Sequence, residues 1–320
     1  MIRIFIWSLL SFVLIISPFL GSVHLNLADI FNYDTLTSNI FFNLRLPRVF
    51  FAFFAGSILS LSGFLFQNIF RNTLMTPYTL GISSGAVLGV GIAIKLGFGI
   101  LAFGISTLSA FGFFGALLSV FLLIYLAQFL KNTHQESLLL LGIALSLFYS
   151  SALMVIFYLG NSIQNDILIR FTMGSLSVIG WQNPLLLSLM AFILFVSIYM
   201  YRFELQLLAL SEEQAKLKGV DAKKVILSLL IIASLAIGVL VSISGPIGFI
   251  GLVVPHLVSK LYPLSIEHRI FKTALFGGLF LVSCDTIARS IQTQGELPIG
   301  IVTALIGVPL FIYLIISKQG

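Results

Sequence analysis

Gly81-Ile82-Ser83-Ser84-Gly85 has the G-x-S-x-G spacing that presents a serine nucleophile for acyl transfer when it sits on a strand-to-helix turn. Here the five residues open an apolar run instead. Gly81, Gly85 and Gly89 recur every four residues, which places them on one helix face, where small residues let backbones approach closely in lipid. Packing is the better reading, and Ser83 lacks the setting of a catalytic serine. His256, in Val253-Val254-Pro255-His256, is an ionisable group inside an apolar run, a position that suits a relay or a binding site. Pro255 frees a helix carbonyl that an imidazole can satisfy, so a structural role is preferred. Asp285 and Arg289 are four residues apart and share a helix face, so they can pair and reduce each other's burial cost. No glycine is followed by lysine, so the chain lacks the G-x-x-x-x-G-K-[ST] phosphate loop. If nucleotide drives this protein, another subunit must hydrolyse it. Cys284 is the single cysteine, which excludes an internal disulfide, and no Cys/His spacing resembles a metal site.

The elements that must position these groups are membrane helices. Of 320 residues, 59% are hydrophobic and only 9% charged, with a mean hydropathy of +1.12. An ordinary soluble domain carries about 25% charged residues, so a soluble enzyme, a nucleic-acid binder and a disordered chain are excluded. A span needs roughly 20 mostly apolar residues. Ten runs qualify, near 4–23, 46–66, 77–95, 109–130, 137–159, 183–202, 224–243, 246–262, 271–290 and 299–317. The runs are continuous rather than alternating, which argues against an outer-membrane barrel. The first is read as a retained span rather than a signal peptide, because no A-x-A-like site follows it.

An even number of spans returns both termini to one side. With the N-terminus inside, Arg3, Arg71, Lys131, Arg202, the lysines between 216 and 224, Lys260, Arg269, Lys272 and Lys318 fall on the cytoplasmic face. Arg45, Arg48, Lys95, Arg170 and Arg289 fall outside or at the outer interface. That bias supports both termini in the cytoplasm and singles out Arg45, Arg48 and Arg289 as charges against the trend. Residues 203–223 (FELQLLALSEEQAKLKGVDAK) are too polar to cross and too patterned for a bare loop. Leu207, Leu208, Leu210, Ala215 and Leu217 supply apolar anchors, Glu212, Glu213, Lys216 and Lys218 lie on the wetter side, and Gly219 is placed to end the helix. One or two short amphipathic helices are expected. They could rest on lipid headgroups or dock a partner.

Residues Arg45–Val90 (RLPRVFFAFFAGSILSLSGFLFQNIFRNTLMTPYTLGISSGAVLGV) resemble the signature region of the iron-siderophore, haem and cobalamin permease family, the membrane subunits of bacterial type II ABC importers. The resemblance continues through LLALSEEQAKLKGV (207–220), GPIGFIGLVVPHLV (245–258) and CDTIARSIQTQGELPIGIVTALIGVPLFIYL (284–314). These blocks follow the family's order and cover nearly the whole chain. Thr73-Leu74-Met75-Thr76 departs from it, since the family more often has a proline and an acidic residue there.

The resemblance implies an all-α polytopic fold, a single permease domain over 1–320 with about ten transmembrane helices per subunit. It implies a second permease subunit, the same or different, around a central path. Two ATP-binding cassette subunits would dock below and carry the ATP and Mg, leaving this subunit without a cofactor or a resident metal. A periplasmic or lipid-anchored substrate-binding protein would dock above. Leu207, Leu208, Ala209, Leu210, Glu212, Glu213, Ala215, Leu217 and Gly219 correspond to the coupling helices that rest in the ATPase. Arg45, Arg48 and Arg289 correspond to outward arginines that receive acidic residues of the binding protein, for which a guanidinium offers a bidentate fork. The path and cytoplasmic gate correspond to His134, Gln135, Glu136 and Ser137 and to a small-residue face at Gly142, Ser146, Ser150 and Ser151.

The expected function is a permease subunit of an ATP-driven importer in the cytoplasmic membrane of a bacterium. Its cargo is a metal chelate, with ferric siderophore first on family breadth and haem or cobalamin behind. An ion-coupled secondary carrier would need an inverted repeat and intramembrane charge pairs, and no clear repeat appears. An intramembrane enzyme would need a reactive constellation, and Ser83 alone does not make one.

Overall fold

A computed structural model describes residues 12–21, 29–31, 35–98, 107–129, 135–262, 265–291 and 296–316, with backbone only at 135, 136, 212 and 213. All regular structure among these residues is helical. The helices are α1 (Leu46–Ile69), α2 (Ile82–Lys95), α3 (Thr107–Ala127), α4 (Gln135–Leu159), α5 (Ser162–Met173), α6 (Gln182–Met200), α7 (Arg202–Leu210), α8 (Glu212–Leu217), α9 (Ala222–Ser244), α10 (Ile250–Leu261), α11 (Ile266–Ser290) and α12 (Ile299–Ile316). A helical turn, Leu36–Ile40, and a π-helical stretch, Phe41–Arg45, lead into α1.

Among the described residues, seven helices are long and apolar enough to cross a membrane: the Leu36–Ile69 run, α3, α4, α6, α9, α11 and α12. The runs expected at 77–95 and 246–262 form α2 and α10, of 14 and 12 residues. At 1.5 Å per residue these reach roughly 20 Å, short of the ~30 Å of hydrocarbon. α2 starts late because residues 70–80 are taken up by turns and Gly81, at φ +78°, sits in the left-handed region before the helix begins. Half of the first expected span, 4–23, lies outside the described residues; the other half, 12–21, is helical up to a 3-10 turn at Ser17–Phe19.

α1 is the central post. It packs on α6, α9, α10 and α11, and Phe51, Ile58, Phe64, Leu65 and Phe66 are fully buried around it. Two contacts bring backbones together. A Cβ at Gly56 would collide with the Gly277 carbonyl of α11, and one at Gly63 with the Gly251 carbonyl of α10. Hydroxyls and an amide bond the same neighbours: Ser57 Oγ donates to the Ala274 carbonyl (2.9 Å), Ser60 Oγ to that of Thr273 (2.9 Å), and Gln67 Nε2 to that of Gly251 (3.1 Å). In lipid, where apolar burial gives little preference for helix over tail, close backbone approach and such bonds hold helices together. α1 therefore links its two ends through one stiff rod about 36 Å long.

Candidate functional site

At the N-terminal end of α1 the charged residues converge. The first turn of α1 carries Arg48. One helical turn apart on α11 are Asp285 and Arg289, and Glu296 stands just before α12. Arg48 grips Asp285 with a fork, Nη2 at 2.8 Å and Nε at 3.0 Å from Oδ1, and its Nη1 donates to Glu296 Oε2 at 2.7 Å. Ser177 Oγ donates to the same Glu296 oxygen at 3.2 Å. Asp285 Oδ2 also lies 2.9 Å from Arg289 Nε, so one carboxylate, 1% exposed, serves two arginines.

Other donors of these arginines go to the short segment at 17–20. Arg289 Nη2 donates to Ser17 Oγ (2.8 Å) and Nη1 to the Leu20 carbonyl (3.1 Å), while Arg45 Nη1 donates to the Phe19 carbonyl (2.9 Å). Arg45 is itself buried, at 7% exposure. Arg48 and Arg289 balance Asp285 and Glu296 in charge. Buried charge of this kind persists only when paired and hydrogen-bonded. Glu296 is the exposed member, at 46%. Burial alone would raise its carboxyl. The Arg48 charge, the bonds from Arg48 and Ser177, and the more distant Arg289 outweigh that and hold it below the usual carboxylate range.

The opposite end of α1 meets residues 203–223. Arg71, just past α1, donates from Nε to the Leu208 carbonyl at 2.9 Å. It does so with φ at +47°, an uncommon backbone for a residue with a side chain. Two short helices occupy this segment. Ser211 ends α7 and caps α8, accepting from Gln214 N (3.0 Å), and Asp221 caps α9, accepting from Lys224 N (3.1 Å). Gly219 lies in the left-handed region at φ +79° after α8, where the Val220 amide returns to the Ala215 carbonyl. At the start of α7, Arg202 pairs with Glu267 of α11 at 2.7 Å.

The apolar residues here divide in two. Leu208 and Ala215 are buried and Leu207 half-buried, as is fitting for anchors, whereas Leu210 is 65% and Leu217 87% exposed. Leu210 and Leu217 therefore do not anchor the segment to this chain. Leu205, fully buried three residues before Leu208, takes that place. Ala209 is exposed. The side chains of Glu212 and Glu213 lie outside what the structure describes.

Along α4, Gly142 is buried against the Thr79–Leu80 backbone, Ser146 Oγ donates to the Tyr78 carbonyl (3.0 Å), and Ser150 and Ser151 bond carbonyls of their own helix. Ser137 is half-buried in the first turn. His134 and the side chains of Gln135 and Glu136 lie outside the described residues. The opposite face of α4 exposes Leu140, Leu147, Phe148, Met154 and Tyr158. Gly85 and Gly89 of α2 face the backbone of α3 at Gly115 and Phe111, with no room for a Cβ, while Gly81 precedes the helix and accepts from Ser119 Oγ (2.9 Å). Ser83 is buried in the first turn of α2, with no strand beside it among the described residues. His256 is half-buried with its ring edge against Phe311. Among the described residues no His, Cys, Asp and Glu gather as metal ligands.

Sequence reading missed Glu296 and Ser177. Glu296 stands 248 positions from Arg48, within the Gly-Glu-Leu-Pro stretch, and its only signal is a charge just ahead of an apolar run.

A family profile, the FecCD transport family, matches residues 9–317. The chain is 34% identical over 304 residues to the hemin transport system permease protein HmuU of Yersinia pestis, covering 94% of this chain and 90% of that one. It is 36% identical over 283 residues to the vitamin B12 import system permease protein BtuC of Klebsiella pneumoniae, covering 87% and 82%. A solved structure described as an inward-facing metal-chelate type ABC transporter superposes with a TM-score of 0.81 at 28% identity, over 96% of each chain.

Proposed function

The chain belongs to the FecCD transport family, and from that premise we propose that it is the permease through which an ABC importer passes a metal chelate into the cytoplasm. Ferric siderophore is the first cargo to test, with haem and cobalamin next. The proposed assembly has ten spans per subunit, both termini cytoplasmic, and a second permease subunit, identical or related. Two ATPase subunits hydrolyse ATP with Mg on the cytoplasmic side, and a binding protein delivers cargo from outside.

One observation carries this reading: α1 joins two chemically opposite ends. At one end the exposed Leu210 and Leu217 of α7 and α8 offer an apolar surface beside charged residues, which suits docking into a groove of the ATPase. At the other, Arg48 reaches the surface beside the exposed Glu296, a pair that an acidic residue of the binding protein could enter. Glu296, the exposed carboxylate on Arg48, occupies the place an incoming carboxylate would take. Nucleotide-driven closure moving α7 and α8 would pass into the spans as a rigid-body shift. Passage runs along α4 on the side of the exposed Ser150 and Ser151, whose weakly polar hydroxyls let a bulky chelate slide without tight retention, with a gate near His134–Ser137. Gly142 and Ser146, expected on the path, instead pack against residues 78–80.

The test is ATP-driven uptake in proteoliposomes holding the full assembly. Leu217→Glu should abolish uptake of the ferric chelate while the thermal midpoint of the permease stays within the scatter of surface substitutions, ~0.5 kcal/mol. Uptake that survives without ATP and collapses with an ion gradient would overturn the proposal in favour of a secondary carrier.

A further inference from the structure

A cavity of about 340 Å³ opens beside the short helices of the 203–223 segment, between the last turn of α3, the start of α4, α8 and the first turns of α9. Its polarity is graded along the helix axes. The polar lining is confined to one end: Gln128 just past α3, Lys216 on α8 and Lys223 in the first turn of α9. The apolar lining lies deeper, with Leu123 on α3 and Ile226 and Leu230 on α9. From Lys223 to Leu230 is seven residues of helix, roughly 10 Å. Both lysines are exposed, neither makes an ion pair among the described residues, and the described lining contains no carboxylate. The charged end is level with the one long polar segment of the chain, so the apolar end points into hydrocarbon.

A charged rim at the interface with an apolar slot running about 10 Å inward has the profile of one amphiphile, a phospholipid. Its phosphate sits at the interface and its chain lies along the membrane normal. Basic pockets between spanning helices on the cytoplasmic side favour anionic headgroups. We propose that this cavity holds an anionic phospholipid, its phosphate between Lys216 and Lys223 and part of an acyl chain against Leu123, Ile226 and Leu230. The inference rests on the proposed orientation only for which leaflet supplies the lipid. A lipid so placed touches α8, and it lets one short segment meet both a partner protein at Leu217 and the bilayer at Lys216.

Native mass spectrometry of the full-length chain, titrated with phosphatidylglycerol and phosphatidylcholine of matched acyl chains, tests it. Phosphatidylglycerol should bind at least roughly fivefold more tightly, the preference expected of a single lysine near a phosphate. Lys216→Gln with Lys223→Gln should abolish that preference and leave phosphatidylcholine binding unchanged. Ala127→Leu, which adds volume to the lining between Leu123 and Gln128, should reduce retention of both lipids. Equal binding of the two headgroups by the unaltered chain, or a preference that persists in the double lysine variant, overturns the proposal. The lysine variants change exposed positions, so the test stands even if Ala127→Leu disturbs folding. Vesicles carrying phosphatidylglycerol in one leaflet only separate the two readings. Selective binding fed from the leaflet opposite residues 203–223 would overturn the orientation and leave the lipid site standing.

Discussion

The two ends of α1 are held by different physics. At the Arg48 end, stability comes from ion pairs reaching across the chain: Asp285 and Glu296 lie 237 and 248 positions from Arg48, and Arg289 and Arg45 reach back to residues 17–20. At the Arg71 end, the segment is held by a few buried apolar side chains, one bond from Arg71 to Leu208 and one ion pair from Arg202 to Glu267, while Leu210 and Leu217 face outward. The first end is closed on itself apart from Glu296. The second leaves its apolar surface unpartnered within the chain. The contrast separates an end whose buried pairs are satisfied within the chain, leaving only the Arg48–Glu296 rim for the proposed docking, from one whose apolar side chains stay exposed. Substitutions at the first end should therefore be read in stability, and those on the outward face of the second in assembly and transport.

The largest expected break in that contrast is Asp285→Ala. It would strand Arg48 and Arg289 around a buried position with no shared counter-charge. Removing one member of a buried ion pair typically costs about 3–5 kcal/mol. The thermal unfolding midpoint of the reconstituted protein should fall sharply, with a loss of folded yield. A loss no greater than that of Leu217→Glu would erase the distinction between the two ends.

At the other end the expected effect is smaller and its direction depends on the replacement. Arg71→Gln removes a partly buried bond to the Leu208 carbonyl while keeping the backbone at φ +47°, so it should cost about 1 kcal/mol. Arg71→Gly loses the same bond but relaxes the left-handed backbone, a gain of similar size. The glycine variant should therefore unfold at a higher temperature than the glutamine variant. The reverse order would mean that the backbone at position 71 carries no strain for glycine to relieve.

Much of this was readable from sequence where the information is local. The spans follow from continuous apolar runs, as at 109–130 and 271–290, which form α3 and α11. The pairing of Asp285 with Arg289 follows from four-residue spacing on one helix. What sequence could not supply was the third dimension. Arg48 meeting Asp285 needs α1 and α11 side by side, and nothing in the two segments' own patterns states that. Leu210 and Leu217 expose another limit: an apolar residue at helical spacing reads the same whether it is buried in its own chain or left for a partner. Gly81 exposes a third, since the four-residue glycine pattern looks helical throughout, yet the left-handed backbone at Gly81 keeps it just outside α2.

The smallest effect probes the one member of the arginine cluster open to solvent. Glu296 has its carboxyl held below the ordinary value of 4.5, against the opposing effect of burial, chiefly by the Arg48 charge. A group depressed in the folded state contributes stability that is present above its unfolded value and lost as pH falls through its folded value. Glu296→Gln should therefore cost stability at pH 7. The cost should stay under about 1 kcal/mol, because a half-exposed pair is screened by solvent. As the pH is lowered below the ordinary carboxylate value the glutamate protonates and the two proteins should converge, and added salt should narrow the gap at neutral pH. Thermal midpoints of both proteins measured from pH 7 down to pH 3, at low and high salt, would trace that convergence. A gap that stayed constant across the range would assign the role of Glu296 to its shape and packing rather than its charge, leaving Asp285 as the sole electrostatic partner of Arg48 at this end of α1.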